Sequence, residues 1–277
     1  MSYQYLYTLD SMRVQSKGLF NFQPQGVYDE DVAALNAARK KMMKELTGSD
    51  TISIGDDVTP EANATIARNY KAAAFSKLSE HPTYEAVVSG CDHEEVTVPM
   101  RDGNDSTVKI LVHTPKPLKE VKKKTGVVYA HGGGVISGTA EMYKPMMSAL
   151  AIETDSVVFN VDYRLAPEVK CPGNILDFYC ALKHVIENCK TFDVDPAKIV
   201  ISGESGGGYI CFGTMVLLAQ KEESHLVRAA FPIIPMISDY FFTDTAAMTA
   251  EEREIERQGM RVIWKSIAKV CSRQIVG

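Results

Sequence analysis

The sequence has no excess of positive charge, no long apolar run and no closely paired cysteines. Each absence removes a class of function. Lys and Arg number 30 against 35 Asp and Glu, a formal net charge of -5. Such a chain has no general attraction for nucleic acid or anionic lipid. No stretch approaches the roughly 18 uninterrupted apolar residues of a membrane span, so no stable membrane insertion is expected. Met1 to Asp10 carries Tyr3, Tyr5 and Tyr7 but lacks the basic segment and apolar core of a secretory leader. The expected compartment is therefore the cytoplasm, by default. The six cysteines (Cys91, Cys171, Cys180, Cys189, Cys211 and Cys271) form no C-x-x-C pair, so free thiols are expected rather than a zinc or redox site. The phosphate loops G-x-x-x-x-G-K and G-x-G-x-x-G are also missing. Neither a cofactor nor a metal is implied.

What is present is ordinary globular material. Hydrophobic residues make up 45% and charged residues 23% of 277, which excludes a disordered chain and allows one large α/β domain or two small ones. Residues 1–90 read as a helical region. Val32, Leu35, Ala38, Met42 and Leu46 recur at helical spacing, and Thr59-Pro60-Glu61 opens a second helix running to about Leu78. From residue 91 the period changes. Glu94 to Val98 and Thr107 to His113 alternate around the turn Arg101-Asp102-Gly103-Asn104, which predicts an antiparallel edge pair. After the charged stretch Lys119 to Lys124, short apolar runs alternate with helical ones. The runs are 126–130, 156–161, 198–201 and 227–234; the helices are 143–152, 174–188, 206–220 and 250–270. Alternation of this kind predicts a mostly parallel sheet with helices on both faces. The division expected is a 1–90 helical cap region and a 91–277 core, with 245–277 as a partial cap-like helix.

Three motifs carry chemistry. Gly203-Glu204-Ser205-Gly206-Gly207 lies between a strand and a helix and fits G-x-S-x-G. A serine there sits on a sharp turn, and Gly203 and Gly207 are needed because a Cβ would collide with the adjoining elements. His131-Gly132-Gly133-Gly134 follows a strand directly. Its glycines free the backbone to aim N–H groups at a developing oxyanion. His131 is expected to fix this loop by hydrogen bonding rather than to act as a base. Asp162-Tyr163-Arg164-Leu165-Ala166-Pro167-Glu168 ends the next strand, and Arg164 is expected to pin it through Asp162 or Glu168.

In order and spacing these three motifs resemble the hormone-sensitive-lipase-like (G-D-x-G) esterase family of the α/β-hydrolase fold, over about residues 90 to 235. The resemblance implies a carboxylic ester hydrolase with a small-molecule ester substrate and Ser205 as nucleophile. It also implies oxyanion N–H groups from Gly133, Gly134 and Gly206, and a helical cap over the acyl pocket. Glu204 stands where many members have Asp. The family's triad continues with an acid and then a histidine. Only 277 − 205 = 72 residues follow Ser205, and His225 is their one histidine. A helix from Gly206 to Gln220, about 22 Å long, would carry His225 to the wrong end of the sheet. Asp239 and Asp244 come early for the acid. The triad acid and base are thus unknown, and the last strands with the histidine loop are expected to be missing from a truncated chain, leaving it weak or inactive. Two other readings stand beside the esterase: a non-catalytic small-ligand-binding relative, and a chain too incomplete to have a role.

Overall fold

The computed structural model of the protein describes residue 41, which is helical, and residues 60–80, 83–100, 106–116 and 123–236. The chain divides into two compact units, Met1–Ile52 and Ser53–Gly277, and the architecture below belongs to the second. That unit includes two helices from the 1–90 region, of which the sequence predicts the first. Helix α1 (Pro60–Leu78) starts with proline at its first position, where the missing N–H had no intrahelical partner to lose. Helix α2 (Tyr84–Val88) is a single short turn.

Strands β1 (Cys91–Pro99) and β2 (Thr107–Pro115) pair antiparallel in full register, Cys91 opposite Pro115 and Pro99 opposite Thr107. There follow β3 (Lys124–Ala130), α3 (Lys144–Thr154), β4 (Val157–Asp162), α4 (Gly173–Glu187), β5 (Val194–Glu204), α5 (Gly206–Gln220) and β6 (Ala229–Ile233). Strand order is β1-β2-β4-β3-β5-β6. β2 is antiparallel to β4, and the pairings β4/β3, β3/β5 and β5/β6 are parallel. The mostly parallel sheet with an antiparallel edge is the arrangement the sequence predicts. In β4, Val157, Val158, Phe159 and Val161 are all buried, the signature of a strand covered on both faces.

Side-chain alternation along β3 shows which helix covers which face. Val127 and Tyr129 pack with Met147 and Ala151 of α3. Val128 and Ala130 pack with Phe178 and Leu182 of α4 and Ile210 of α5. Helix α1 reaches both layers: Ala64 and Ala67 join the α4/α5 side, and Phe75 joins the α3 side. Its middle, with Arg68 and Lys71, therefore passes the carboxyl ends of the strands.

The expected helices 31–46 (Lys41 aside) and 250–270 lie outside the described residues. So do the turn 101–104, the 245–277 segment, Cys271, Asp239 and Asp244. Among the described residues no helix is long and apolar enough to cross a membrane.

Candidate active site

Strand β5 ends at Glu204 and α5 begins at Gly206, so Ser205 alone makes the turn. Its φ of 52° and ψ of -115° are unusual for a residue with a side chain. The surrounding backbone permits no bulk. A Cβ on Gly203 would lie 2.4 Å from the Gly207 carbonyl oxygen, and one on Gly207 would lie 2.0 Å from the Ala130 oxygen of β3. A side chain at either flanking glycine would collide with the neighbouring helix or strand. The end of β6 and the residues after it close over the turn: Ser205 N donates to Ile233 O at 2.9 Å, and Met236 N donates to Ser205 O at 3.3 Å.

The loop after β3 comes to the same place. A Cβ on Gly206 would lie 2.8 Å from Gly134 N and 2.6 Å from Val135 N. Gly133 and Gly134 have φ of 136° and 62°, and Val135 follows at 58°. The turn is closed by Ile136 N (3.2 Å), Ser137 N (3.0 Å) and Ser137 Oγ (3.0 Å), all donating to Gly133 O. Among the described residues, no acceptor meets the N–H groups of Gly133, Gly134 or Gly206. Three free donors thus lie in the turns on either side of Ser205.

His131 is fully buried. Its Nδ1 bonds Gly132 O at 3.0 Å, its ring stacks on Tyr163 at 4.3 Å, and the Tyr163 hydroxyl donates to His131 O at 2.7 Å. Burial pushes its pKa down to about 3, so the ring is neutral. Asp162 Oδ1, 3.9 Å from Nε2, is then no ion-pair partner. That carboxylate accepts from Ala140 N at 2.7 Å. His131 thus contacts the glycine turn through Gly132 O and the end of β4 through Tyr163.

Two features depart from the sequence reading. Arg164 does not pin its own loop through Asp162 or Glu168. It grips the buried Asp177 of α4, with NH2 to Oδ1 at 2.6 Å, Nε to Oδ2 at 3.0 Å and its backbone N to Oδ2 at 2.8 Å. Glu168 instead takes both terminal nitrogens of Arg68 of α1, at 2.8 and 2.7 Å. Arg68 also donates to Ile136 O (2.8 Å) and Ala166 O (3.0 Å). Lys71, one turn on, donates to Gly132 O and to the Tyr143 hydroxyl. The sequence signal for this strap is thin: Ala64, Ala67, Arg68, Lys71 and Phe75 share one helical face.

The described histidines are engaged elsewhere. His93 and His113 both bond Ser148 Oγ, at 3.0 and 3.1 Å. His184 lies near the end of α4 beside Asn188. His225 is exposed in a short 3-10 turn (Ser224–Leu226) that precedes β6, so it lies beyond the amino end of that strand, while Ser205 lies at the carboxyl end of β5. The wrong-end placement expected of His225 is what the topology gives. Among the described residues no cluster of three His, Cys, Asp or Glu could hold a metal ion. The described cysteines are free; burial raises the Cys211 thiol to about 12.

A parallel sheet with a serine on a strained strand-to-helix turn, faced by a glycine loop from the neighbouring strand, defines a class of protein. The family described as alpha/beta hydrolase fold matches residues 127–274, just over half of the chain. The chain belongs to the α/β-hydrolase family, in its hormone-sensitive-lipase-like group. Among curated relatives it is 29% identical over 143 residues to mouse (Mus musculus) arylacetamide deacetylase-like 4 family member 1, covering 52% of this chain and 35% of that protein. It is 43% identical over 84 residues to the carboxylesterase NlhH of Mycobacterium tuberculosis, covering 30% and 26%. These matches span about a third or less of the relatives' own length. Among solved structures, a hyperthermophilic esterase from Pyrobaculum calidifontis shares the fold with a TM-score of 0.64 at 24% identity, over 86% of this chain and 69% of that one. A bacterial heroin esterase superposes with a TM-score of 0.58 at 30% identity, over 73% and 59%.

Proposed function

We propose that this chain carries the nucleophile and the oxyanion donors of a carboxylic ester hydrolase. The observation behind this reading is the strained Ser205 turn packed against an N–H-bearing glycine loop. Ser205 Oγ adds to the ester carbonyl as its proton passes to a base, forming a tetrahedral oxyanion. The N–H groups of Gly134, Gly206 and Gly133 stabilise that oxygen, and the start of α5 adds a favourable dipole. Collapse expels the alcohol, which takes up the proton. Water then adds to the acyl-serine, releasing the acid and restoring Ser205. Helix α1 serves as the inner part of a cap over the acyl pocket. Small carboxylic esters are the substrate class, since the relatives named above include a deacetylase-like protein and a carboxylesterase.

No described side chain accepts a hydrogen bond from the Ser205 hydroxyl, and a serine without a base is a poor nucleophile. General-base help is worth about 10²–10⁴-fold. The same observation favours the second reading, a small-ligand binder that keeps the fold without turnover. A fluorophosphonate probe at high concentration separates them. Slow covalent labelling that disappears in Ser205→Ala supports the hydrolase, and labelling that survives the substitution overturns it.

A further inference from the structure

The ammonium of Lys71 lies against the backbone of the glycine turn, not in solvent. It donates to Gly132 O, which also accepts from His131 Nδ1. A Cβ placed on Gly133 would come within 2.8 Å of Lys71 Nζ. The Gly132–Gly133 peptide is planar and trans, so its C=O and N–H point in opposite directions. A cation that holds the carbonyl on one side thereby aims the Gly133 N–H to the other. It also withdraws electron density from the amide, making that N–H a better donor.

The other groups facing Lys71 come from three more elements. The Tyr143 hydroxyl, at the start of α3, is 3.2 Å from Nζ, and its ring centre is 4.9 Å away. The same hydroxyl donates to Glu204 Oε1 at 2.5 Å, at the end of β5 and next to Ser205. His131, from the turn after β3, is neutral, and the Phe75 ring lies 5.8 Å from Nζ on α1 itself. Among the described residues Glu204 is thus the charged group that bears on the ammonium. Burial lowers the Lys71 pKa to about 8 and Glu204 opposes the shift.

We propose that Lys71 is a positioning residue of the active site: it holds and polarises the Gly132–Gly133 peptide so that the Gly133 N–H serves as an oxyanion donor. The assignment rests on Ser205 and the glycine N–H groups forming the ester-hydrolysing site. A lysine that merely anchored α1 would be replaceable by any side chain that kept the helix in place. A positioning cation would not.

The test uses the 277-residue chain, Lys71→Met, Lys71→Arg and Ser205→Ala. Two quantities are read: the rate of fluorophosphonate attachment to Ser205, and the carbonyl-carbon NMR shift of Gly132 from pH 6 to 10. Removing an oxyanion donor outright costs about 10²–10³-fold, so loosening one in Lys71→Met should slow labelling about tenfold. Lys71→Arg keeps the charge and should stay within about threefold of the parent at pH 7. Its rate relative to the parent should rise above pH 8, where the parent loses its cation. The Gly132 carbonyl should titrate with a midpoint near 8 in the parent and stay flat in Lys71→Arg. Equal labelling of Lys71→Met and parent overturns the proposal, as does a Gly132 carbonyl that stays flat in the parent. Should Lys71→Met not fold, the comparison of parent with Lys71→Arg decides alone. A parent that takes no label at Ser205 while Gly132 titrates overturns the nucleophile assignment instead.

Discussion

The strands β2 to β5 and the strand β6 lie in one sheet but in different surroundings. In the first region Val128, Phe159 and Ile201 are 0% exposed, and backbone meets backbone at glycines that admit no methyl group. At β6, Phe231 is 60% exposed and Ile233 48%, with Ile234 at 77% just beyond. Pro232, lacking an N–H, is the kind of residue an edge tolerates. The sealed region positions every proposed oxyanion donor. The open edge contributes one thing to the site, the strip 233–236 that bonds the Ser205 backbone. The glycine contacts of the turn therefore belong to the sealed region, and the strip from β6 adds two backbone hydrogen bonds to it.

Acid should break the sealed region first. Burial holds His113 and His131 neutral, each pushed down to about 3. The unfolded chain binds these two protons near pH 6.5 and the folded one does not, so stability falls as pH drops below that value. At pH 5 each histidine should cost about 2 kcal/mol, or roughly 4 together, against pH 7. Urea midpoints at the two pH values read this directly; a flat profile would mean that the rings are solvated.

A smaller loss is expected from Arg164→Leu. It leaves the buried Asp177 carboxylate without its guanidinium and should cost about 3 kcal/mol in chemical denaturation. A change under half of that would assign the holding of the loop to other contacts. Gly207→Ala forces a methyl against the Ala130 carbonyl and should cost about 1–3 kcal/mol. It should also abolish labelling of Ser205, which separates it from an ordinary packing defect. At the open edge, Phe231→Lys with Ile233→Thr should change stability by no more than about 0.5 kcal/mol. The same pair should lower concentration-dependent self-association in light scattering, because an exposed apolar edge is what invites it. Unchanged association would move the sticky surface elsewhere.

The parts of this design that were legible in the sequence are those enforced by contact along the backbone. Gly203 and Gly207 are readable because a strand-to-helix turn leaves no room for Cβ, whatever the rest of the fold. The β-branched run in β4 is readable because both its faces are covered. The partners of Arg164 and Glu168 were not readable. Asp177 lies one helix further on and Arg68 about a hundred residues away, and only the approach of α4 and α1 to the strand ends decides which carboxylate meets which guanidinium. Lys71 was hidden for the same reason. A lysine on a half-polar helix carries no signal until the helix crosses a glycine turn. The pairing of His93 and His113 on Ser148 likewise depends on register between β1 and β2 and on where α3 sits.

The most direct measurement is a crystal structure of the chain after reaction with a small fluorophosphonate. The expected adduct joins phosphorus to Ser205 Oγ, with the phosphonyl oxygen about 2.7–3.1 Å from the N atoms of Gly134 and Gly206. An adduct at another residue, or a phosphonyl oxygen turned away from both glycines, would contradict the assignment of this turn as the place where ester chemistry occurs.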